Sequence, residues 1–273
     1  MFSTMLVVFR EILEAALVVS IVMAATKTVP GRGFWVGLGI VGGTVGAGLV
    51  AAFAEVISQW ASGMGQELFN AAVMFVAVLM LSWHCIWMGK HGREMAQSLG
   101  SMGRAVTAGS KSLSGLAIVV GVALLREGSE AVLFIYGIAA GEPGQATQMA
   151  IGAVIGLAGG VAVGAALYFG LLQINTRRLF SVTNGLILLL AAGMASQCAG
   201  FLIAADWLPA WGDMWDTSWL LTDNSVVGKM LHALVGYTAR PAGTQLIAYI
   251  GTLLLITLLA RKFGRPTPRA AIK

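Results

Sequence analysis

Charge is what this sequence has least of. Only 11% of its 273 residues are Asp, Glu, Lys or Arg, against about 25% in soluble globular proteins. With 58% hydrophobic residues and 36 glycines, too few polar side chains remain to coat a water-soluble globule. The mean hydropathy of +0.83 agrees, and soluble, disordered and fibrous classes are excluded. Cysteine is nearly absent: Cys85 and Cys198 lie in separate apolar runs, without the spacing of a zinc or redox motif. No P-loop, Rossmann glycine pattern, nucleophile elbow or HExxH motif occurs. That argues against an ATP-driven mechanism encoded in this chain and against an enzyme.

Long apolar runs are what the chain has instead. A hydrocarbon core of about 30 Å takes about 20 apolar residues per helix, and seven runs qualify: 4–25, 34–57, 68–88, 113–140, 148–173, 180–205 and 243–260. The expected fold is all-α, a polytopic membrane protein of seven transmembrane helices. The first run has no basic segment before it and carries Arg10, Glu11 and Glu14, so it reads as a retained helix rather than a cleaved signal. Of the 17 basic residues, thirteen fall in alternate connections: Lys27 and Arg32; Lys90, Arg93, Arg104 and Lys111; Arg177 and Arg178; and Arg261, Lys262, Arg265, Arg269 and Lys273. The opposite connections hold only Lys229 and Arg240. The positive-inside rule then puts the N-terminus outside and the C-terminus in the cytoplasm. The net charge of +5 reports contact with an anionic inner leaflet of the lipid bilayer, and no nucleic-acid partner is needed to explain it.

The few charges within apolar runs repeat. Arg10-Glu11-Ile12-Leu13-Glu14-Ala15 returns as Arg126-Glu127-Gly128-Ser129-Glu130-Ala131, in the first helix of each of two consecutive three-helix units. Both second helices are glycine-rich, with Gly39, Gly42, Gly43 and Gly46 in one and Gly152, Gly156, Gly160 and Gly164 in the other, a small-residue stripe on which a neighbouring backbone can rest. Because three is odd, the units insert in opposite senses, the inverted-repeat plan of many transporters, which locates the site at the repeat interface. The expected organisation is a single membrane domain: a first repeat over 1–111, a second over 112–205, an outer loop over 206–242, a seventh helix over 243–260 and a basic cytoplasmic tail over 261–273.

At about 100° per residue, Arg10, Glu11 and Glu14 share one helix face, and so do Arg126, Glu127 and Glu130. If the repeats face each other, four carboxylates and two guanidiniums converge. Pairing each Arg with one Glu leaves a surplus of two negative charges for a cation to neutralise, and carboxylate oxygens suit hard ions. Structural ion pairs and a proton relay are two other uses of the same six residues. Ser129 beside Glu130 is the single foothold for an intramembrane enzyme.

Two Arg-Glu-x-x-Glu motifs in the first and fourth of seven helices resemble the oxidase-dependent iron permease family (the iron/lead transporters), particularly its bacterial EfeU-type branch. The resemblance covers nearly the whole chain, including Asp223-Asn224-Ser225 through Gly236-Tyr237, which looks like the last outer loop of bacterial members. It implies a permease of the inner cell membrane that moves Fe3+, Fe2+ or both to the cytoplasm, or another divalent metal such as lead. Both motifs would be required. Glu11, Glu14, Glu127 and Glu130 would hold the metal, with Arg10 and Arg126 orienting them. Iron would be the substrate and no cofactor would be permanently bound. A periplasmic iron-binding protein and a haem peroxidase are the partners implied. Fungal members carry Glu in an acidic motif before the last helix, whereas this loop has only aspartates, so the resemblance does not extend to a hand-off from a bound multicopper oxidase.

Other residues are weaker candidates. Glu55 and Glu67 flank the outer turn between the second and third helices, and Asp213, Asp216 and Asp223, with Asp206, make the outer loop net negative. Either group could draw cations to an entrance. Trp207, Trp211, Trp215 and Trp219 recur every fourth residue, one stripe if that stretch is helical, and read as an interfacial anchor. Pro209 and Gly212 count against a continuous helix there. His84, Cys85 and Met88 could form a soft exit site, but adjacent residues do not share a helix face, and the reading favoured is core packing.

Overall fold

The structure, a computed structural model, describes residues 1–61, 66–141, 144–170, 176–223 and 225–263, and for residues 55, 57–61, 66, 88–96, 176–180, 233–234 and 263 the backbone alone. Among the described residues are eight helices: α1 (Phe2–Ala25), α2 (Arg32–Ala61), α3 (Gln66–Thr107), α4 (Ser114–Gly141), α5 (Ala146–Tyr168), α6 (Thr176–Ala204), α7 (Val226–Val235) and α8 (Gly243–Phe263). Five segments, 32–54, 67–87, 146–168, 181–204 and 243–262, are long and apolar enough to cross a membrane. The other two long helices, α1 with 24 residues and α4 with 28, differ in carrying three charged residues each. Large apolar side chains line the outside: Val41, Val45, Leu49 and Phe53 on α2, Val154 and Val161 on α5, and Leu254 and Leu258 on α8 are all exposed. An apolar girdle of this extent belongs against lipid, not water.

Each expected apolar run lies on a helix, with three departures. First, α3 does not end near residue 88 but continues to Thr107. Its distal part packs: Leu99 and Val106 join Val18, Val22, Val36, Leu116 and Val120 in one buried cluster, and the Thr107 hydroxyl donates to the Ala25 carbonyl (3.1 Å). Second, α5 stops at Tyr168, short of the expected residue 173; residues 171–173 lie outside the described residues. Third, the 206–242 connection is not a plain loop. It contains α7, started by the Ser225 hydroxyl accepting from the Gly228 N–H (2.9 Å) and ended by Gly236 in the left-handed conformation, φ +71°. The tryptophan stripe does not form: residues 207–223 are turns and extended chain, and Trp211 itself has a positive φ of 55° beside Gly212. The four tryptophans are nevertheless all exposed.

The helices run alternately up and down. Ser3, Met74, Ile138, Gln197 and His232 surround a small cavity at one end, while Val22, Val36, Val106 and Leu116 gather at the other. Glycine sets the closest contacts, which are α1 with α5 and α2 with α4. A methyl added at Gly43 would lie 2.7 Å from the Gly121 carbonyl oxygen and 2.7 Å from Leu124 Cβ, with Leu125 N next. One added at Gly156 would lie 2.5 Å from the Met5 carbonyl oxygen, 3.1 Å from Val8 Cβ and 2.9 Å from Phe9 N. The two sets correspond atom for atom, since Met5, Val8 and Phe9 each precede their counterparts Gly121, Leu124 and Leu125 by the interval separating Arg10 from Arg126. One turn further the glycine moves to α4 in one contact, where Gly128 meets Ala47 of α2, and stays on α5 in the other, where Gly160 meets Ile12 of α1. Gly42, grouped with this stripe from sequence, faces open space.

Overpacking a tight contact costs about 1–3 kcal/mol. Gly156→Val and Gly43→Val are therefore expected to lower the thermal unfolding temperature of the solubilised protein, while Gly42→Val leaves it within a degree or two. Equal effects at all three positions would contradict the packing.

Candidate functional site

The charges that are costly in lipid are gathered where α1, α3 and α4 meet. On α1, Arg10, Glu11 and Glu14 are 2%, 1% and 3% exposed. Arg10 Nη1 donates to Glu11 Oε1 (3.0 Å), and Nη2 forms an ion pair with Glu14 Oε1 (2.8 Å), though without hydrogen-bond geometry. From α4 come Glu127, fully buried, and Glu130, less so. Arg126 Nε donates to Glu130 Oε1 (3.0 Å), and its guanidinium stacks 4.2 Å over the Trp87 ring of α3, a cation–π contact. The two motifs thus lie together in one layer.

Two overlapping sets of side chains could hold a metal ion. Glu11, Glu14 and Glu127 form one and Glu11, His84 and Glu130 the other, with the ligand atoms of each set within 4.8 Å of one another. Glu11 Oε2, Glu14 Oε2 and Glu127 Oε2 are buried with no hydrogen-bond partner among the described residues. A buried carboxylate oxygen without a partner is expensive, and a cation is one partner that would satisfy three of them together.

His84 is the residue that sequence reasoning passed over as core. Its ring nitrogens join the motifs: Nε2 contacts Arg10 Nη2, and Nδ1 contacts Glu130 Oε2. A signal for it existed, because His84 is the sole histidine within an expected apolar run and an intramembrane histidine is as exceptional as a glutamate. The objection about helix faces held for its neighbour: Cys85 turns into an apolar cluster with Leu81 and Ile256. The side chain of Met88 lies outside the described residues.

Apolar layers close the charged layer at both ends. On one side Val7, Leu81 and Phe134, all fully buried, separate it from the cavity bordered by Ser3, Gln197 and His232. That cavity lies about 10 Å further along α1 at 1.5 Å per residue. On the other side stand Val18, Val22, Leu116 and Val120.

The entrance candidates have mixed fates. Glu67 is exposed in the first turn of α3, and the Glu55 side chain lies outside the described residues. Asp213 is exposed and bridges by its backbone to Ala242. Asp223 Oδ1 accepts from the Ala239 N–H (2.9 Å). Asp216 accepts from the Ser218 hydroxyl (2.5 Å) and N–H (2.9 Å) and pairs with Arg240 (2.9 Å). These contacts, Ser218 foremost, pull its carboxyl down to about 2. Asp216 and Asp223 thus tie the loop together, and neither reaches the buried carboxylates of α1 and α4.

The arginines are not equivalent. Arg10 is 2% exposed and Arg126 34%. Removing a buried partner leaves its carboxylates uncompensated, at about 3–5 kcal/mol; Arg10 faces both Glu11 and Glu14, whereas Glu130 keeps His84 when Arg126 is removed. Arg10→Ala is therefore expected to lower the unfolding temperature well beyond Arg126→Ala. Comparable losses would contradict this difference between the two pairs.

Comparison with known proteins gives the same direction. A model of the iron permease FTR1 family matches residues 1–262. The ferrous iron permease EfeU of Yersinia pestis is 32% identical over 280 residues, which cover 100% of this chain and 97% of that protein. The ferrous iron permease EfeU of Shigella sonnei is 30% identical over 279 residues, covering 99% and 100%. No solved structure matches. Full-length similarity to permeases, in an apolar helical chain whose scarce charges meet at one point, makes this a polytopic membrane protein that belongs to the iron permease FTR1 family.

Proposed function

We propose that the chain carries iron from the outer side of the membrane to the cytoplasm through the charged layer between α1 and α4. The observation that carries this reading is the convergence of both Arg-Glu-x-x-Glu motifs on one buried layer with partnerless carboxylate oxygens. Glu11, Glu14, Glu127 and Glu130 are the proposed ligands. Arg10 and Arg126 orient them and offset their mutual repulsion. With all four carboxylates ionised and both guanidiniums charged, two negative charges remain, which a divalent cation neutralises and a trivalent one exceeds by one. Carboxylate oxygens favour the harder ferric ion, whereas the charge balance favours the ferrous one. The full-length relatives are named ferrous iron permeases, in keeping with that balance.

Seven membrane-spanning helices, with the N-terminus outside and the C-terminus in the cytoplasm, complete the proposal. Residues 1–111 and 112–205 act as two inverted three-helix units. The corresponding contacts of Gly43 and Gly156 support this arrangement, as does the pairing of α1 with α5 and α2 with α4, because exchanging the units interconverts those pairs. Apolar layers above and below the charges then serve as alternate gates, opened by rocking one unit against the other. Glu67 and Asp213 add negative potential on the outer side, where a periplasmic iron-binding protein and a haem peroxidase would deliver the ion.

Uptake of radioactive iron into proteoliposomes tests the reading. Wild-type protein is expected to accumulate iron, and the Glu14→Ala, Glu130→Ala double variant to fall to the protein-free background. Equal uptake by the two under both oxidising and reducing conditions rejects it.

A further inference from the structure

The third helix contributes a group that the repeated motifs do not encode. His84 is 3% exposed and stands between the motifs, with Nε2 toward Arg10 Nη2 of α1 and Nδ1 toward Glu130 Oε2 of α4. An arginine guanidinium has donors and no acceptor. In the neutral ring that carries its proton on Nδ1, donated to the Glu130 carboxylate, Nε2 keeps a lone pair toward the guanidinium. That tautomer, held by a carboxylate behind the ring, is how metal-binding histidines are oriented. In front of the lone pair lie Arg10 Nη2 and, 3.7 Å away, Glu14 Oε1. Beyond Arg10 are the partnerless oxygens Glu11 Oε2 and Glu14 Oε2. The guanidinium thus supplies positive charge where a cation would meet one nitrogen and several oxygens.

Resting on the reading of α1 and α4 as the iron site, we infer that His84 Nε2 is a direct ligand to the transported ion and takes the place given above to Glu130, whose Oε2 holds the ring while its Oε1 is held by Arg126, with Arg10 withdrawing from Nε2 as the ion arrives. The consequence is selectivity. Four carboxylates alone suit hard ions, whereas an imidazole adds affinity for divalent iron over manganese or magnesium. A mixed nitrogen and oxygen set makes the site one for ferrous iron and other late divalent metals. His84 has no counterpart on α6, which carries no histidine, so the nitrogen enters from one side of an otherwise paired arrangement.

Electron paramagnetic resonance of full-length protein in nanodiscs, purified without a histidine tag and loaded with less than one equivalent of Cu2+, reads the ligand atom directly. The expected spectrum carries coupling to one imidazole nitrogen, which changes pattern when the protein is grown on 15N-histidine and disappears in His84→Gln. Because the label marks all three histidines, a His91→Gln, His232→Gln variant, in which His84 is the histidine that remains, is expected to keep the coupling, and its loss there overturns the role of His84 even if His84→Gln misfolds. Fe2+ affinity of His84→Gln is expected to fall by at least about tenfold, with Mn2+ affinity nearly unchanged. Copper that binds in a Glu14- and Glu130-dependent manner without nitrogen coupling overturns the role of His84 and leaves the carboxylate site standing. Coupling that persists in His84→Gln assigns the nitrogen to His91 or His232 and likewise overturns it. Cu2+ and Fe2+ binding that survives the Glu14→Ala, Glu130→Ala double variant overturns the site itself, and the inference with it.

Discussion

Six ionisable side chains and one imidazole lie in the middle of a helical bundle where water is excluded, and most of the structure can be read as the means of tolerating them. Each charge there costs roughly 2.5–3.5 kcal/mol on an insertion scale, so the cost is met by neighbours: Arg10 with Glu11 and Glu14, Arg126 with Glu130, His84 between the two groups. The compensation is incomplete. Oxygens of Glu11, Glu14 and Glu127 stay without partners among the described residues. Structural ion pairs alone would be expected to satisfy their oxygens more fully, and the unsatisfied oxygens are what the proposed cation would meet.

Such a layer forms only if helices carrying charge approach closely, and glycine makes that approach possible. The contacts at Gly43 and Gly156 reproduce one another down to the backbone atoms met, so both charge-bearing helices are held by the same geometry. Where α2 carries Ala47 instead of glycine, the facing α4 supplies Gly128, while in the α1–α5 contact α5 keeps its glycine, Gly160 against Ile12. Small size is required at the crossing, not on a particular helix. The pairing ends at the charged layer, where Arg10 is sealed in and Arg126 reaches outward over Trp87. The two halves are alike in scaffold and unlike in chemistry.

Much of this was legible in the sequence because charge is so scarce. Arg10, Glu11, Glu14, Arg126, Glu127 and Glu130 stood out against apolar neighbours, and helical periodicity alone put each trio on one face. The extension of α3 to Thr107 was hidden because residues 89–107 are polar and glycine-containing, a composition that reads as a connection until tertiary contacts to Ala25 and Leu116 are known. Gly42 could not be told from Gly43 without knowing which face meets α4. His84 is obscured by Cys85 and Met88, because a group of neighbours cannot share a face; taken alone, a histidine in an apolar helix calls for a partner. The bonds of Asp216 to Ser218 and Arg240 depend on loop geometry that no periodicity encodes.

On the proposed reading, iron sits among the carboxylates of α1 and α4. Anomalous difference density at the iron absorption edge, from crystals of the iron-loaded protein grown in lipid, locates the ion without reference to activity. One dominant peak is expected, bounded by Glu11, Glu14, Glu127 and His84. A dominant peak on the outer-loop aspartates instead, with none between α1 and α4, would contradict it.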